Sequence, residues 1–240
     1  MSLKSIIASK EKFIQDTIDT FQSQWELLKP NVQKGLIRLF KSGEYSIEAI
    51  ETIFNNNGFT DLATETARQF NKAFKYSEQI SRELGYKFVL TEENAVLFEQ
   101  MNQLTLDTLV GTGRANAIDL KRFAIESQIE ERTTGQIMKG FETIFENSGR
   151  RLITEVNTGI RSYNASIGLE SMKNADVELF YYFGPYDGHN RDSCKDTLGD
   201  PRQSTGWTSA DVQSSGTPFI DRGGWNCRHE WVAFTKELVE

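Results

Sequence analysis

The feature that most restricts how this chain can fold is the uneven placement of a few residue types. The stretch Tyr181–Trp231 holds both cysteines (Cys194, Cys227), both histidines (His189, His229), three of the four tryptophans and three of the four prolines. What precedes it reads as helix after helix. A mainly α chain is therefore expected, with an elongated helical N-terminal region carrying a small, irregular C-terminal α+β module that something must hold shut.

Composition narrows the function classes. A length of 240 residues allows one large or two small domains with a real core. A net charge of −7 argues against a protein that coats nucleic acid, because phosphate neutralisation needs clustered Lys and Arg. The opening MSLKSIIASKEKF lacks an export-type apolar run, and no stretch approaches a membrane span. With only two cysteines, a cytosolic or assembly-bound protein is expected, with no membrane partner.

Leu3, Ile6, Ile7, Phe13, Ile14, Ile18, Phe21, Trp25 and Leu28 recur at three- and four-residue steps and define an amphipathic helix. Pro30 is expected to end or restart it, and Gly43 to close the next one. At nearly thirty residues this first helix is long enough to project and dock on a partner. Ser46 reads as the cap of a short helix, Asn55–Gly58 as a loop, and Asp61 as the cap of a helix that Gly85 stops. A helix begins at Thr91, with a break expected at Gly111–Gly113 and a resumption at Asp119–Ile129. Thr133 and Gln136 form a capping-box pair. Ser148–Gly149 is expected to separate that segment from a helix over Arg150–Met172. These signals predict a helical region over 1–148 and a separate module over 149–240.

From Asp176 the apolar period changes to two. Val177, Leu179, Tyr181 and Phe183 fall on one side, and Phe180 and Tyr182 on the other, as in a strand covered on both faces. The run from Gly199 to Gly224 is rich in Ser, Thr, Gly, Pro and Asp, and a loop that long is either functional or tied down. A second strand is expected over Trp225–Phe234, with Cys227, His229 and Trp231 pointing one way.

Cys194 follows the first strand, and Cys227 and His229 open the second, so joining them would close the long loop. Thiolate and imidazole suit Zn²⁺, and a structural site needs four ligands. Cys194, Cys227 and His229 are three. His189 is the expected fourth, with Asp187 or Asp192 as a carboxylate substitute. Two free thiols, or a Cys194–Cys227 disulfide, are the alternatives the sequence leaves open. Trp207, Trp225 and Trp231 read as the small module's core.

Residues Arg150–Trp231 resemble the conserved domain of tailed-phage head-morphogenesis proteins, the minor head proteins of the Mu F type. The resemblance is carried by RRLITEVNTGIRSYNA at 150–165, with Thr154, Glu155 and Asn164, then by the aromatic strand ELFYYF. RDSCKDTLG at 191–199 follows, with Arg191 and Cys194, and the closing GGWNCRHEW keeps Asn226-Cys227-Arg228. His229 stands where the family has its last Cys, and Gly224-Trp225 replaces a His-Pro pair. The resemblance implies a structural protein rather than an enzyme, located in the virion at the portal or inner capsid face. It would act in head morphogenesis and in DNA packaging or ejection, with the portal protein, the major capsid protein, or both as partners. Contact with packaged DNA is a further possibility it raises. Within that frame Glu155 is expected to reach Arg191 or Arg228 and tie the helix to a zinc-clamped module.

Two other readings belong to different classes. One is a metal-dependent hydrolase or nuclease with Glu155 as general base. The other is a zinc module touching DNA through Arg191, Arg202, Arg222 and Arg228.

Overall fold

Helices dominate because long amphipathic runs find apolar partners along nearly their whole length. The computed structural model describes residues 2–44, 46–224 and 227–236. Its α-helices are α1 (Leu3–Lys41), α2 (Ile47–Asn56), α3 (Phe59–Phe70), α4 (Phe74–Glu83), α5 (Glu92–Ile129) and α6 (Thr134–Lys173). The remainder is β1 (Leu179–Phe183), α7 (Asp192–Gly199), a 3₁₀ turn at Pro201–Ser204, β2 (Trp207–Thr208), α8 (Ser209–Ser214) and β3 (Glu230–Ala233). The architecture is thus mainly α with a small three-stranded C-terminal module.

Three expected breaks do not occur. Helix α1 runs through Pro30, α5 through Gly111–Gly113, and α6 through Ser148–Gly149. A proline inside a helix costs about 3 kcal/mol. Buried Trp25, Val32 and Leu36 on either side of Pro30 supply the packing that outweighs it. The glycines make room rather than break the helix. A Cβ on Gly113 would lie 2.6 Å from the Phe59 ring, and one on Gly149 would lie 2.7 Å from Trp25 Nε1. Two capping signals behave as expected: Ser46 Oγ accepts from Ala49 N–H, and Thr133 and Gln136 satisfy each other's backbone amides; Asp61 instead lies inside the first turn of α3.

Because α6 is continuous across residue 148, no boundary falls there. The chain divides into two units, each discontinuous in sequence. The first comprises Met1–Gln15, Phe70–Asn102 and Asn157–Glu240, the second Asp16–Gln69 and Gln103–Val156. The second unit is all helix, and its core is an aromatic cluster in which Trp25, Phe54, Phe59 and Phe145 have ring centroids 5.9–6.3 Å apart.

The first unit contains the sheet, antiparallel and ordered β2-β1-β3, with Tyr182 opposite Trp231 and Phe180 opposite both Trp207 and Ala233. Strand alternation separates its two faces. Phe180, Tyr182, Trp231 and Ala233 join Trp207, Val212, Phe219, Cys194 and Cys227 in one buried cluster. Val232, Tyr181 and Phe183 pack on the other side with Leu3, Ile6, Ile7 and Ile80. The start of α1 therefore covers the sheet's back. Lys10 bonds Glu230, and Arg161 binds Glu11 through Nη1 at 2.9 and 3.0 Å, fixing that placement.

The expected long loop is largely structured. Thr208 and Asp211 form a capping box at the start of α8, a pattern visible in the sequence as Thr-Ser-Ala-Asp. Trp231 Nε1 donates to the Thr217 carbonyl at 2.6 Å. The second strand is shorter than expected, and Trp225 and Asn226 lie outside the described residues.

Candidate metal centre

Cys194 is placed by the first turn of α7, and Cys227 and His229 by the extended segment leading into β3. All three are buried, at 2, 4 and 3 % exposure, and their ligand atoms lie within 4.8 Å of one another. The two sulfurs are 3.9 Å apart as free thiols, so no disulfide joins them. Cys227 Sγ lies 3.5 Å from His229 Nδ1. Opposite it, His229 Nε2 is 2.8 Å from the Pro185 carbonyl, which can only accept. Nε2 therefore carries a proton, and Nδ1 faces the sulfur.

The Cys194–Cys227 and Cys227–His229 distances match two edges of a metal-binding tetrahedron. Zinc–sulfur bonds of about 2.3 Å and zinc–nitrogen bonds of about 2.0 Å imply S···S edges of about 3.8 Å and S···N edges of about 3.5 Å. Cys194, Cys227 and His229 thus have the spacing and chemistry to hold a metal ion.

Electrostatics point the same way. Burial works to raise the Cys227 thiol, but hydrogen bonds with His229 and Tyr182 and from the Gly223 amide outweigh it and bring it down to about 6. Burial pushes the Cys194 thiol up.

The surroundings are shaped to the group. A Cβ on Gly223 would collide with Cys194 Sγ, and one on Gly184 with the His229 ring. Tyr182, fully buried, stacks on the His229 ring at 5.1 Å and places its hydroxyl 3.6 Å from each sulfur. Gln203 holds Tyr182 by both backbone groups at 3.0 and 3.1 Å. Sequence reasoning missed Tyr182, Gly184, Gly223 and the Pro185 carbonyl. The Phe-Gly-Pro that ends β1 and the Gly-Gly pair before Cys227 were the available signals.

The expected fourth ligand is not among them. His189 is exposed and outside the group, with its backbone amide bonded to Asp187 Oδ1 at 2.9 Å. Asp187 is taken by Arg228, whose Nη2 contacts both carboxylate oxygens at 2.7 Å, and that bonding lowers the Asp187 pKa. Asp192, the first residue of α7, is exposed with Lys195 at 3.7 Å.

The helix residues carried by the resemblance do other work. Thr154 Oγ1 bonds the Arg150 carbonyl at 2.9 Å. Asn164 is buried, with Nδ2 on the Ile160 carbonyl and Oδ1 unpartnered among the described residues. Glu155 falls in the second unit and makes no ion pair among the described residues, and burial raises its pKa. The expected tie from Glu155 to Arg191 or Arg228 is replaced by bonds inside the first unit: Arg228 to Asp187, and Arg191 to the Gly223 carbonyl. Arg202 pairs with Asp200 and Asp211 and lies 3.8 Å over the Trp207 ring. Arg222 is buried on the Arg161 carbonyl and Ser162 Oγ. All four arginines of the possible DNA patch are thus engaged internally.

No family model matches the chain, and neither a curated protein nor a solved structure matches it significantly. No helix among the described residues is long and apolar enough to cross a membrane.

Proposed function

We propose that this chain is a structural head-morphogenesis protein of a tailed phage, a minor head protein of the Mu F type, with a zinc ion closing its C-terminal module. The observation that carries the reading is the buried Cys194–Cys227–His229 group. It joins the polar turn to the closing segment at the positions where the resemblance places its ligand-type residues. Bound there, zinc would act as a cross-link between α7 and the segment before β3, closing a loop of the kind cysteine-poor modules otherwise cannot hold. The protein's own side chains exclude water from the site and fix the imidazole tautomer.

In this reading the chain works in the virion, at the portal or the inner capsid face, and binds the portal or major capsid protein. Its surface for that contact is α5. Leu104, Ile118 and Ile125 are exposed and separated by seven residues or a multiple of seven, with Gly111 in the remaining place. An apolar row at seven-residue spacing is one of the two rows of a coiled-coil seam, and a helix of the assembly partner is the proposed occupant. The hydrolase or nuclease reading has less support, because Glu155 is not a member of the Cys194–Cys227–His229 group.

Co-expression with the cognate portal protein tests the proposal. The chain is expected to co-purify with the portal and carry one zinc, and Leu104→Glu with Ile118→Glu is expected to abolish capture without loss of zinc. Hydrolytic activity lost on Glu155→Ala in folded protein, or capture indifferent to the α5 substitutions, would overturn it.

A further inference from the structure

Cys194, Cys227 and His229 leave one corner of a tetrahedral site unfilled, and neither His189 nor any other described His, Cys, Asp or Glu joins the group. Three-ligand sites that keep water in the fourth place are the catalytic type, whereas a structural site is closed. Beside both sulfurs lies the Tyr182 hydroxyl oxygen, on a side chain with no exposure. It forms a triangle with the two sulfurs, with edges of 3.6, 3.6 and 3.9 Å. A tetrahedron around zinc with an oxygen ligand at about 2.0 Å has S···O edges of about 3.5 Å. The hydroxyl thus sits a ligand's distance from both thiols without any backbone movement.

We infer that Tyr182 is the fourth ligand, its phenolate completing a closed two-sulfur, one-nitrogen, one-oxygen zinc centre. The inference rests on the zinc reading above and gives it the closure that reading needs. On binding, the phenol O–H and any thiol still protonated release their protons to solvent, and no other bond changes. The centre then carries two thiolates and a phenolate against Zn²⁺, a net charge of −1.

A second, independent observation matches that charge. Arg222 is buried, bonds only the Arg161 carbonyl and Ser162 Oγ, leaves Nε unpartnered, and has no carboxylate bonded to it among the described residues. A buried guanidinium without a counter-ion is costly. Burial lowers the Arg222 pKa, against which Cys227, Glu230 and Tyr182 favour its charge, and Glu230 is already bonded to Lys10. An anionic centre that includes Tyr182 supplies the missing partner. A bound divalent ion favours the ionised form of the oxygen and sulfur atoms that ligate it.

The test uses the full chain, stripped of metal and titrated with Zn²⁺ and separately with Co²⁺. Uptake of one equivalent is expected to bring the ultraviolet difference band of ionised tyrosine. Tyr182→Phe is expected to lose that band and weaken Zn²⁺ binding about tenfold or more in chelator competition. Its Co²⁺ complex is expected to show an altered visible spectrum. Uptake of one equivalent without a tyrosinate band overturns the inference alone, and so does a Tyr182→Phe protein that binds Zn²⁺ and Co²⁺ as wild type does. Failure of wild type to take up metal overturns the zinc reading and this inference together. The wild-type band decides the matter even if Tyr182→Phe does not fold.

Discussion

The two units of this protein are held together by different physics. In the helical unit, Trp25, Phe54, Phe59 and Phe145 form a dry aromatic core with glycines cut to their shape. Apolar area removed from water, at roughly 25 cal/mol per Å², is sufficient to hold such a core. The sheet-bearing unit has an aromatic core too, but a polar group sits inside it: two thiols, an imidazole and a tyrosine hydroxyl, beside a buried arginine. Buried polar groups weaken a core unless every one is satisfied. The contrast is between a core closed by ring packing alone and one in which short strands surround a buried Cys/His group able to hold a metal ion.

The sharpest way to break the comparison is to remove the tie. Cys227→Ser is expected to drop zinc content from one equivalent to essentially none, and hydrogen-exchange protection is expected to vanish at 179–183 and 230–233. Amides of 47–56 and 59–70 should keep theirs. Structural zinc supplies roughly 10 kcal/mol or more in small zinc-finger peptides, so this is the largest effect expected. Equal loss of protection in both units would erase the distinction drawn here.

A smaller effect is expected from the opposite experiment. Trp25 is fully buried, and Trp25→Ala opens a cavity among Phe54, Phe59 and Phe145. Large-to-small changes of this kind cost about 3–5 kcal/mol. The urea midpoint should fall accordingly while zinc stays at one equivalent, since no ligand lies in that unit. Zinc loss in a folded Trp25→Ala protein would show that the two kinds of cohesion are not separable.

How much of this was legible beforehand follows from the range of the forces involved. The helical periodicity, the caps at Ser46 and Thr133, the two-faced strand β1 and the trio Cys194, Cys227 and His229 are local patterns or rare residue types, so the sequence displays them. The continuity of α1, α5 and α6 is not local. Whether Gly113 or Gly149 breaks a helix depends on where Phe59 and Trp25 come to lie, which no short window contains. The fourth corner was misplaced for a related reason. His189 has the chemistry of a ligand but sits on an exposed turn that Asp187 and Arg228 pin elsewhere. Tyr182 read as one more core aromatic of β1, and only pairing with β3 brings its hydroxyl to the sulfurs.

The subtlest contrast is carried by protons. In metal-free protein Cys227 titrates at about 6, its hydrogen bonds outweighing burial, whereas an unfolded thiol titrates at about 8.5. Between those values the native state binds fewer protons than the unfolded state, so stability rises with pH across that window. The contribution is fully present above the unfolded value and is lost as pH falls through about 6. Cys194 does not cancel it, because burial pushes that thiol up and keeps it protonated over the same range. With chelator present, urea midpoints at several pH values between 6 and 8 should therefore climb for wild type more steeply than for Cys227→Ser. Identical slopes would mean that the sulfur is not an anion held in readiness. The polar group would then be an ordinary pair of buried thiols, and the aromatic core alone would have to account for the cohesion of the sheet-bearing unit.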